Sequence, residues 1–423
     1  MVLPDSLYKT HPLCIVVSQL TYGKEIHRRM KSGTLIQTNR SSEKISRSEH
    51  WTMRIIYFLG IIFIVVGHAG TAGLPFMDQW FPFYSFHIQL FQFAAGYLFV
   101  SEGSRSFPFF LANKIKKLMI PFFIWNLVYG CLVTCLHRVG YRFGERVTFR
   151  SLFLKPLWHG HQFWLNSPTW YVTPHLLVQI LSYFPLKLLV TCSLTAHILY
   201  WLGTIVLACL GTELAMHGLG SPSTPFLIIP RVTSFLHIYT AGYIYRQFLE
   251  QLEMRIRNIV FFTIHSSLIL LWTLFCGPLR GYVLSWCNNF DNFWKPVITP
   301  YFGITFWVRV ARILTPILRD SPIVICIAKN TFSIMTHHLT GFFCLNTAFN
   351  SLHRIGVFPT FDSTEYYKNV YYIYKVRNND IMLSLYHLAG ISVSLLIKRV
   401  EQIVTHQLNK CYHLLRADDF SAH

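Results

Sequence analysis

Charged residues are scarce in this chain of 423 residues, and acidic residues are the scarcest of them. Asp, Glu, Lys and Arg make up 13% of the sequence, whereas soluble domains carry about 25%. This scarcity, together with 52% apolar residues, argues against a set of soluble domains. Several nearly uncharged stretches reach about 20 residues, which lets a helix cross a hydrocarbon core of about 30 Å. The composition therefore predicts a helical membrane protein.

Several motifs are also missing. No glycine-rich loop ends in Lys and Ser or Thr, which disfavours an ATP-driven pump or a kinase. No G-x-S-x-G elbow of a serine hydrolase occurs. The ten cysteines include no C-x-x-C pair and no Cys/His spacing suited to zinc, so no metal is predicted. A disulfide between Cys276 and Cys287 is the less favoured alternative to free thiols.

Apolar segments bounded by charge, proline or glycine predict about ten transmembrane helices and an all-α, polytopic fold class. The eighth segment is the weakest, because Pro296 and Pro300 interrupt its start and Arg309 and Arg312 lie in its second half. The ten segments are 55–70, 81–101, 118–136, 170–185, 188–210, 226–245, 259–276, 297–315, 323–348 and 383–398.

Basic residues outnumber acidic ones by 37 to 18, which gives a net charge of +19. In a soluble protein this excess would suggest nucleic-acid binding, but here the basic residues lie at the ends of apolar segments. Membrane topology therefore explains them, and no nucleic-acid partner is predicted. The bias predicts an integral plasma (inner) membrane protein with both termini in the cytoplasm. The basic loop 137–169, which would lie outside, is the main exception.

The chain is predicted to have three parts. Residues 1–52 form a basic tail that is predicted to be disordered or to precede the true start, since Met53 opens an apolar run that would make a natural first residue. Residues 53–400 form the membrane domain. Residues 401–423 form a cytoplasmic tail. No oligomeric state follows from the sequence.

Ionisable residues inside the spans are the first candidates for function, because burying them in a bilayer is costly. At a rise of about 1.5 Å per residue, His68, His87, His175 and the pair His337 and His338 fall in one layer of the outer half. Imidazole exchanges protons near neutral pH, so this layer could hold a general base. The alternative is that each is a separate core histidine bonded to a neighbouring carbonyl or hydroxyl group.

Six sequence blocks occur in order along most of residues 55–400. They are YFLGIIFIVVGH (57–68), YSFHIQLFQFAAGYLF (84–99), NKIKKLMIPFFIWNLVYG (113–130), SPTWYVTPHLLVQI (167–180), AGYIYRQFLE (241–250) and IAKNTFSIMTHHLTGFF (327–343). Together they resemble the acyltransferase 3 family of integral-membrane O-acyltransferases, especially its branch of sugar and exopolysaccharide O-acetylases. The resemblance implies a ten-helix core that moves an acyl group, usually acetyl from acetyl-CoA, onto a hydroxyl group of an envelope sugar.

The resemblance also implies roles for individual residues. The family's helix 1 histidine falls on His68, which would accept the hydroxyl proton or relay the acyl group. The histidines of two further blocks fall on His87, a second catalytic candidate, and on His338. Family members carry a basic residue eleven positions before the first histidine, where this chain has Tyr57. Arg54, one turn earlier, could supply the charge or could be a simple cytoplasmic anchor.

Four residues are candidates for binding the sugar acceptor. Trp170 and Tyr171 could stack on a sugar ring, although interfacial aromatic residues are also the default in membranes. His175 and His338 belong to the same layer as the catalytic candidates. Together these four residues form the predicted acceptor site.

Basic residues near the inner mouth are candidates for holding CoA. Lys114, Lys116 and Lys117 could bind its phosphates, although basic residues are also expected at a cytoplasmic helix end. In the basic outer loop, His159 and His161 have no third ligand nearby in sequence, so they are predicted to be surface residues rather than metal ligands.

The main hypothesis is an acetyl-CoA-dependent O-acyltransferase of a surface polysaccharide or its lipid-linked precursor. A transporter of polysaccharide or lipid-linked sugar is one rival, weakened because the spans lack the paired carboxylates common in proton-coupled carriers. A catalytically inactive relative that acts as an envelope-assembly scaffold is another, motivated by Tyr57 in place of the basic residue. Both rivals stay open at the level of sequence.

Overall fold

The computed structural model describes the backbone of residues 35–71, 81–102, 105–218 and 224–421. Side chains are described for residues 51–71, 81–100, 105–218 and 224–410. Within these ranges all regular structure is helical and no strand occurs, so the predicted all-α fold class is confirmed.

The helices overlap each of the ten predicted segments. In chain order the longer helices are α1 (Leu35–Ala69), α2 (Gln89–Glu102), α3 (Phe107–Arg138, π-helical at Ile115–Met119), α4 (Ser167–Leu189), α5 (Leu194–Met216), α6 (Ile228–Ile244), α7 (Asn258–Cys276), α8 (Lys295–Leu318), α9 (Pro322–Lys329), α10 (Thr331–Arg354) and α11 (Leu383–Ser421).

Seven helical stretches in the described part of the chain are long and apolar enough to cross a membrane. They belong to α1, α3, α4, α5, α7, α8 and α11. Helix α2 contributes only a shorter apolar stretch, Gln89–Val100. The chain is therefore a multi-pass helical membrane protein, while the predicted count of about ten spans is not established by length and composition.

Both predicted domain boundaries, at residues 52/53 and 400/401, fall inside helices of the structure. Residues 53–423 form one compact unit. Helix α1 begins at Leu35, before the predicted boundary at residue 52, and residues 1–34 of the predicted tail lie outside the described residues. At the other end, α11 continues without a break through the predicted tail to Ser421.

The predicted weak eighth span forms helix α8. Pro296 lies in the first turn of α8. N–H groups there have no partner within the helix, so the N–H that proline lacks costs no helical hydrogen bond. The two arginines in its second half find carboxylate partners after α6: Arg309 contacts Glu253, and Arg312 bridges Glu250 and Glu253. These ion pairs offset part of the cost of burying charges in this segment.

Small residues let the helices pack closely. In the contact of α2 with α6, Gly96 lies against the Tyr239 carbonyl and Gly242 against the Phe93 carbonyl. A Cβ atom at either glycine would overlap that carbonyl oxygen. Gly96 belongs to one of the six family-like blocks, and in the structure it has this packing role.

Four connecting segments meet at one end of residues 53–423, which we call the loop end. The Tyr282 amide donates to the Tyr84 carbonyl, and the Arg142 amide donates to the Tyr367 carbonyl. These contacts join the chain on either side of several helices into one layer that covers the end of α1. The segments of the loop end are 81–88, 139–166, 277–294 and 355–382.

Candidate active site

A cavity of about 330 Å³ lies at the loop end, beside the last turn of α1. We call it the histidine cavity. Its size falls within the range of about 300–1,000 Å³ that is typical of small-molecule sites. Its wall residues are Ile64, Gly67, His68, Tyr84, His87, Ile88, His161, Ser167, Pro168, Trp170, Tyr282, Val283, Leu284, Ser285, Trp286 and Tyr371.

The two predicted catalytic histidines share this cavity, and the fold fixes which nitrogen of each carries the proton. The Nδ1 atom of His68 lies 2.8 Å from the Ile64 carbonyl oxygen, one helical turn back. The Nδ1 atom of His87 lies 2.9 Å from the Phe83 carbonyl oxygen. A carbonyl oxygen can only accept, so Nδ1 carries the proton in each neutral ring and Nε2 keeps its lone pair.

His338 stands behind His68 rather than in the cavity wall. It is fully buried, and its Nδ1 atom lies 2.9 Å from the Ile334 carbonyl oxygen. Its Nε2 atom lies 3.2 Å from Nδ1 of His68. The His68 proton is thus shared between the Ile64 carbonyl and the lone pair of His338. His338, predicted to bind substrate, thus lies within hydrogen-bonding distance of His68 and outside the cavity wall.

His161 is buried, which shows that the prediction of a surface position was wrong. Only 4% of the residue is exposed, because its ring stacks on Trp286 with centroids 4.1 Å apart. Burial and the positive charge of Arg231 hold the pKa of His161 well below its usual value. His161 is therefore a neutral wall of the cavity near pH 7. Its neighbour His159 is partly buried, and the same two causes lower the pKa of His159 to about 4.

Arg231 fastens the aromatic wall of the cavity. Its guanidinium lies 4.6 Å from the centre of the Trp170 ring. The same group donates a hydrogen bond of 2.6 Å to the Trp158 carbonyl oxygen. It also donates to the carbonyls of His159 and Ser285, so one side chain joins two segments of the loop end. Trp170 is 6% exposed and lines the cavity.

Hydroxyl groups complete the polar side of the histidine cavity. The Ser167 hydroxyl is hydrogen-bonded to the Tyr371 hydroxyl. The Tyr371 ring is stacked near the His68 ring at 6.1 Å and 17°. The Tyr84 hydroxyl donates 3.1 Å to the Gly67 carbonyl, next to His68. An acceptor hydroxyl near His68 would therefore meet both a basic nitrogen and several hydrogen-bonding groups.

A second cavity of about 210 Å³ lies on the other side of Ile64, which lines both cavities. We call it the inner cavity. His175 is here, with its Nδ1 atom 3.1 Å from both the Tyr171 hydroxyl and the Gln92 side-chain oxygen. Its wall is mostly apolar and consists of Tyr57, Ile61, Ile64, Phe91, Leu118, Tyr171, Val172, His175, Thr331, Phe332 and Met335.

The residues of the predicted acceptor site do not share one cavity. Trp170 lines the histidine cavity, whereas its neighbour Tyr171 and His175 line the inner cavity. Tyr57, which stands at the position of the family's basic residue, also lines the inner cavity. Arg54 lies 14 residues before His68 on α1, which corresponds to about 21 Å along the axis. Arg54 and His68 therefore cannot touch the same atom.

The three lysine candidates of α3 differ in their surroundings. Lys114 is half-buried, lies one turn before Leu118 of the inner cavity, and interacts electrostatically with His175. Lys116 and Lys117 are exposed. All three flank or occupy the π-helical stretch of α3, a type of irregularity that is frequent at functional sites. Only Lys114 is placed near a described cavity.

No group of three or more His, Cys, Asp or Glu side chains suited to a metal ion occurs among the described residues. Cys276 and Cys287 both carry free thiols, so the less favoured alternative of a disulfide between them does not hold in the structure.

Several wall residues were not singled out from the sequence. Tyr84 and Ser167 lie within two of the family-like blocks, and this position is the sequence feature that could have indicated them as site residues. Trp286 and Tyr371 lie in connecting segments outside all six blocks, and nothing in their local sequence indicated a site.

The apolar helices make the chain a multi-pass helical membrane protein. His68, His87 and His161 line a cavity beside its helix α1. Residues 55–394 match the family model of acyltransferase 3, described as an acyltransferase domain. This match covers most of the chain, so the protein belongs to the acyltransferase 3 family and is a membrane acyltransferase. No curated protein and no solved structure matches the chain.

Proposed function

We propose that the protein is an O-acyltransferase that moves an acetyl group from acetyl-CoA to a hydroxyl group of a surface polysaccharide or a lipid-linked sugar. The observation that carries the proposal is the arrangement of His68. Its Nδ1 proton is held by the Ile64 carbonyl and by His338, while Nε2 makes no hydrogen bond within the described parts of the chain. The Nε2 atom of His68 is thus able to accept a proton from a ligand in the histidine cavity.

In this proposal His68 acts as the general base. Its Nε2 atom accepts the proton of the acceptor hydroxyl as the hydroxyl oxygen bonds to the acyl carbon of the thioester. The bond from that carbon to sulfur breaks, and the proton on His68 passes to the leaving thiolate. The products are an ester and the CoA thiol. While His68 is protonated, its Nδ1–H donates more strongly to His338, which stabilises the charged ring.

The character of the histidine cavity supports a sugar acceptor. Trp170, Trp286 and Tyr371 present aromatic rings, and Ser167 and Tyr84 present hydroxyl groups. Aromatic rings can pack on the apolar face of a sugar ring, and hydroxyl groups can exchange hydrogen bonds with it. No carboxylate is found among the wall residues of this cavity, which suits a neutral or anionic acceptor better than a cationic one.

The inner cavity supports a donor that approaches from the α3 side. Its wall includes Leu118, one turn after Lys114, and Ile64, one turn before His68. Its apolar wall suits the acyl end of the donor, while Lys114, Lys116 and Lys117 would receive the phosphates. We further propose ten spans in the plasma membrane, with both termini in the cytoplasm, so that donor and acceptor reach His68 from opposite sides.

One observation favours a different outcome. Tyr57 occupies the position of the family's basic residue and lines the inner cavity. If this change abolishes donor binding, the protein would be an inactive relative that acts as a scaffold. Tyr57→Arg would then create activity that the wild type lacks, whereas an active wild type excludes this alternative.

The proposal is tested in cells by the base-labile acetyl content of envelope polysaccharide, measured by proton NMR. A deletion strain is complemented with wild type, His68→Gln or His217→Gln. His217 is an exposed histidine after α5 and serves as the matched control. We expect acetyl to be lost on deletion and restored by wild type and His217→Gln only. Acetyl that stays unchanged on deletion would contradict the proposed acetylation and favour the transporter or scaffold.

A further inference from the structure

A depression of about 410 Å³ lies next to the histidine cavity. We call it the outer groove. It shares three wall residues with the histidine cavity, namely His161, Trp286 and Tyr371. This shared wall places the groove directly beside the cavity, within reach of a ligand larger than the cavity itself. The remaining wall residues of the outer groove are Trp164, Glu365, Lys368 and Asn369.

Trp164 reaches the groove through a strained turn. Its φ angle is +61°, in the left-handed region that bulky side chains rarely adopt. The Leu165 amide closes a tight turn by donating 2.7 Å to the Phe163 carbonyl. Phe163 and Leu165 are fully buried, whereas Trp164 is 36% exposed. Burial of the two neighbours therefore holds the turn and directs the indole outward. Such strain concentrates at functional sites.

Aromatic rings lead from His68 into the groove. The centroid of the Tyr371 ring lies 6.1 Å from that of His68. The centroid of the Trp164 ring lies 6.3 Å from that of Tyr371. Trp286, stacked on His161, forms part of the wall of both spaces. A ligand passing outward from His68 would meet flat apolar surfaces along its way.

The polar residues of the groove suit hydroxyl groups. Asn369 donates 2.8 Å from its side-chain nitrogen to one carboxylate oxygen of Glu365. Lys368 is exposed at the same wall. One carboxylate, one ammonium group and one amide give the groove no net charge. This balance favours a neutral, hydroxyl-rich ligand over a phosphate-bearing one such as the CoA headgroup.

We propose that the outer groove binds the sugar ring next to the one that is acylated, so that the acceptor is a glycan of at least two rings rather than a free monosaccharide. This inference rests on the proposed function, because it takes the histidine cavity as the place where one ring reacts. The groove then selects acceptors by chain length, through contacts that a single ring cannot make.

The test compares acceptors of increasing length. De-O-acetylated envelope polysaccharide from the source cells is partly hydrolysed and separated into oligosaccharides of one, two, three and more rings. The full-length protein in nanodiscs receives radiolabelled acetyl-CoA and each size fraction, and kcat/KM is measured. For the wild type we expect kcat/KM to rise at least tenfold between one ring and three rings.

Trp164→Gly is the informative variant, because glycine adopts a positive φ without strain. The change removes the indole and relieves the turn, so the folded protein is kept. We expect the advantage of three rings over one to shrink to about twofold or less. Phe149→Ala removes an aromatic side chain that is 70% exposed and lies outside the groove, and it should keep the wild-type ratio. An undiminished ratio in Trp164→Gly would overturn the groove proposal and leave the proposed function standing.

A second readout covers the case in which the wild type transfers no acetyl group to any fraction, which would contradict the proposed function. Saturation-transfer NMR then measures binding of the same oligosaccharides without turnover. Binding that strengthens with length in wild type and weakens in Trp164→Gly supports the groove by itself. Binding that is absent, or equal in both proteins, overturns it.

Discussion

The proposed chemistry depends on single residues, because a hydrogen bond from Nδ1 to a backbone carbonyl fixes the orientation of each histidine ring. His68, His87 and His338 all place Nδ1 against the carbonyl of the residue four positions earlier. His197, far from the histidine cavity, does the same with Ser193. The contact is thus a general habit of helical histidines here. What distinguishes His68 is the additional contact with His338 and its place in the cavity wall.

His338→Phe tests whether His338 orients His68. The change removes the lone pair that accepts from Nδ1 of His68, while a ring remains in the buried site. We expect kcat to fall about 10- to 100-fold, the range found for groups that orient a metal-bound histidine, with KM for both substrates nearly unchanged. Steady-state kinetics measures the two separately. A rise in KM for the acceptor at constant kcat would instead show that His338 binds substrate.

The loop end should make the protein less stable in acid. Burial and the charge of Arg231 lower the pKa of His159 to about 4 and hold that of His161 well below its usual value. Both rings take up protons near pH 6.5 when the chain unfolds. The unfolded state therefore binds more protons below that pH, and stability falls as the pH drops from about 6.5 towards 4.

We expect the unfolding midpoint in detergent to be lower at pH 5 than at pH 7.5, and less so in a His159→Gln, His161→Gln double variant. His217→Gln serves as the exposed control. An equal acid-induced loss in wild type and double variant would contradict the assignment.

At the scale of helices, close packing depends on glycines. Gly96→Ala and Gly242→Ala each push a methyl group into a backbone carbonyl of the facing helix. We expect each change to lower stability by roughly 1–3 kcal/mol, the usual cost of overpacking. Gly203→Ala, on α5, meets no atom within 4 Å and is the matched control, expected to be neutral or slightly stabilising. Thermal unfolding of the three purified variants measures the difference. Equal midpoints would show that α2 and α6 are not in this contact.

The ion pairs between α8 and the residues after α6 should matter more than exposed pairs. Glu253 contacts both Arg309 and Arg312, and the Arg309 side chain is 5% exposed. Glu253→Gln leaves the buried Arg309 without its carboxylate partner, a change that typically costs about 3–5 kcal/mol, whereas the half-buried Arg312 keeps Glu250.

Asp320→Asn breaks an exposed pair with Arg319 and should cost less than about 1 kcal/mol. Membrane yield and unfolding midpoint of the two variants provide the comparison. Similar losses for both would contradict a special role for the buried network.

On the scale of the whole molecule, the order of the helices could be predicted because apolar run length is a local signal. The meeting of His68 with His87 could be anticipated from their depth along two segments. Depth does not fix rotation about a helix axis, so it could not place His338 behind His68 or His175 in a separate cavity. Nor could it show that Trp170 and Tyr171, adjacent in sequence, face different cavities.

The loop end was the least predictable part. Trp286 and Tyr371 reach the histidine cavity only because distant connecting segments pack on one another, and such contacts have no sequence period. His161 was assigned to the surface because it lies in a basic loop, yet Trp286 covers it. Arg231 lies within a predicted span, and its partners are backbone carbonyls, which no sequence pattern reports.

The central claim is that Nε2 of His68 is the base for acyl transfer. The most direct measurement is transfer of labelled acetyl from acetyl-CoA to de-O-acetylated envelope polysaccharide by purified protein in nanodiscs, comparing wild type with His68→Gln. The account predicts a rate lower by about 10²- to 10⁴-fold in the variant, the usual contribution of a general base, with unchanged folding and donor binding. Transfer by His68→Gln within about threefold of wild type would contradict it.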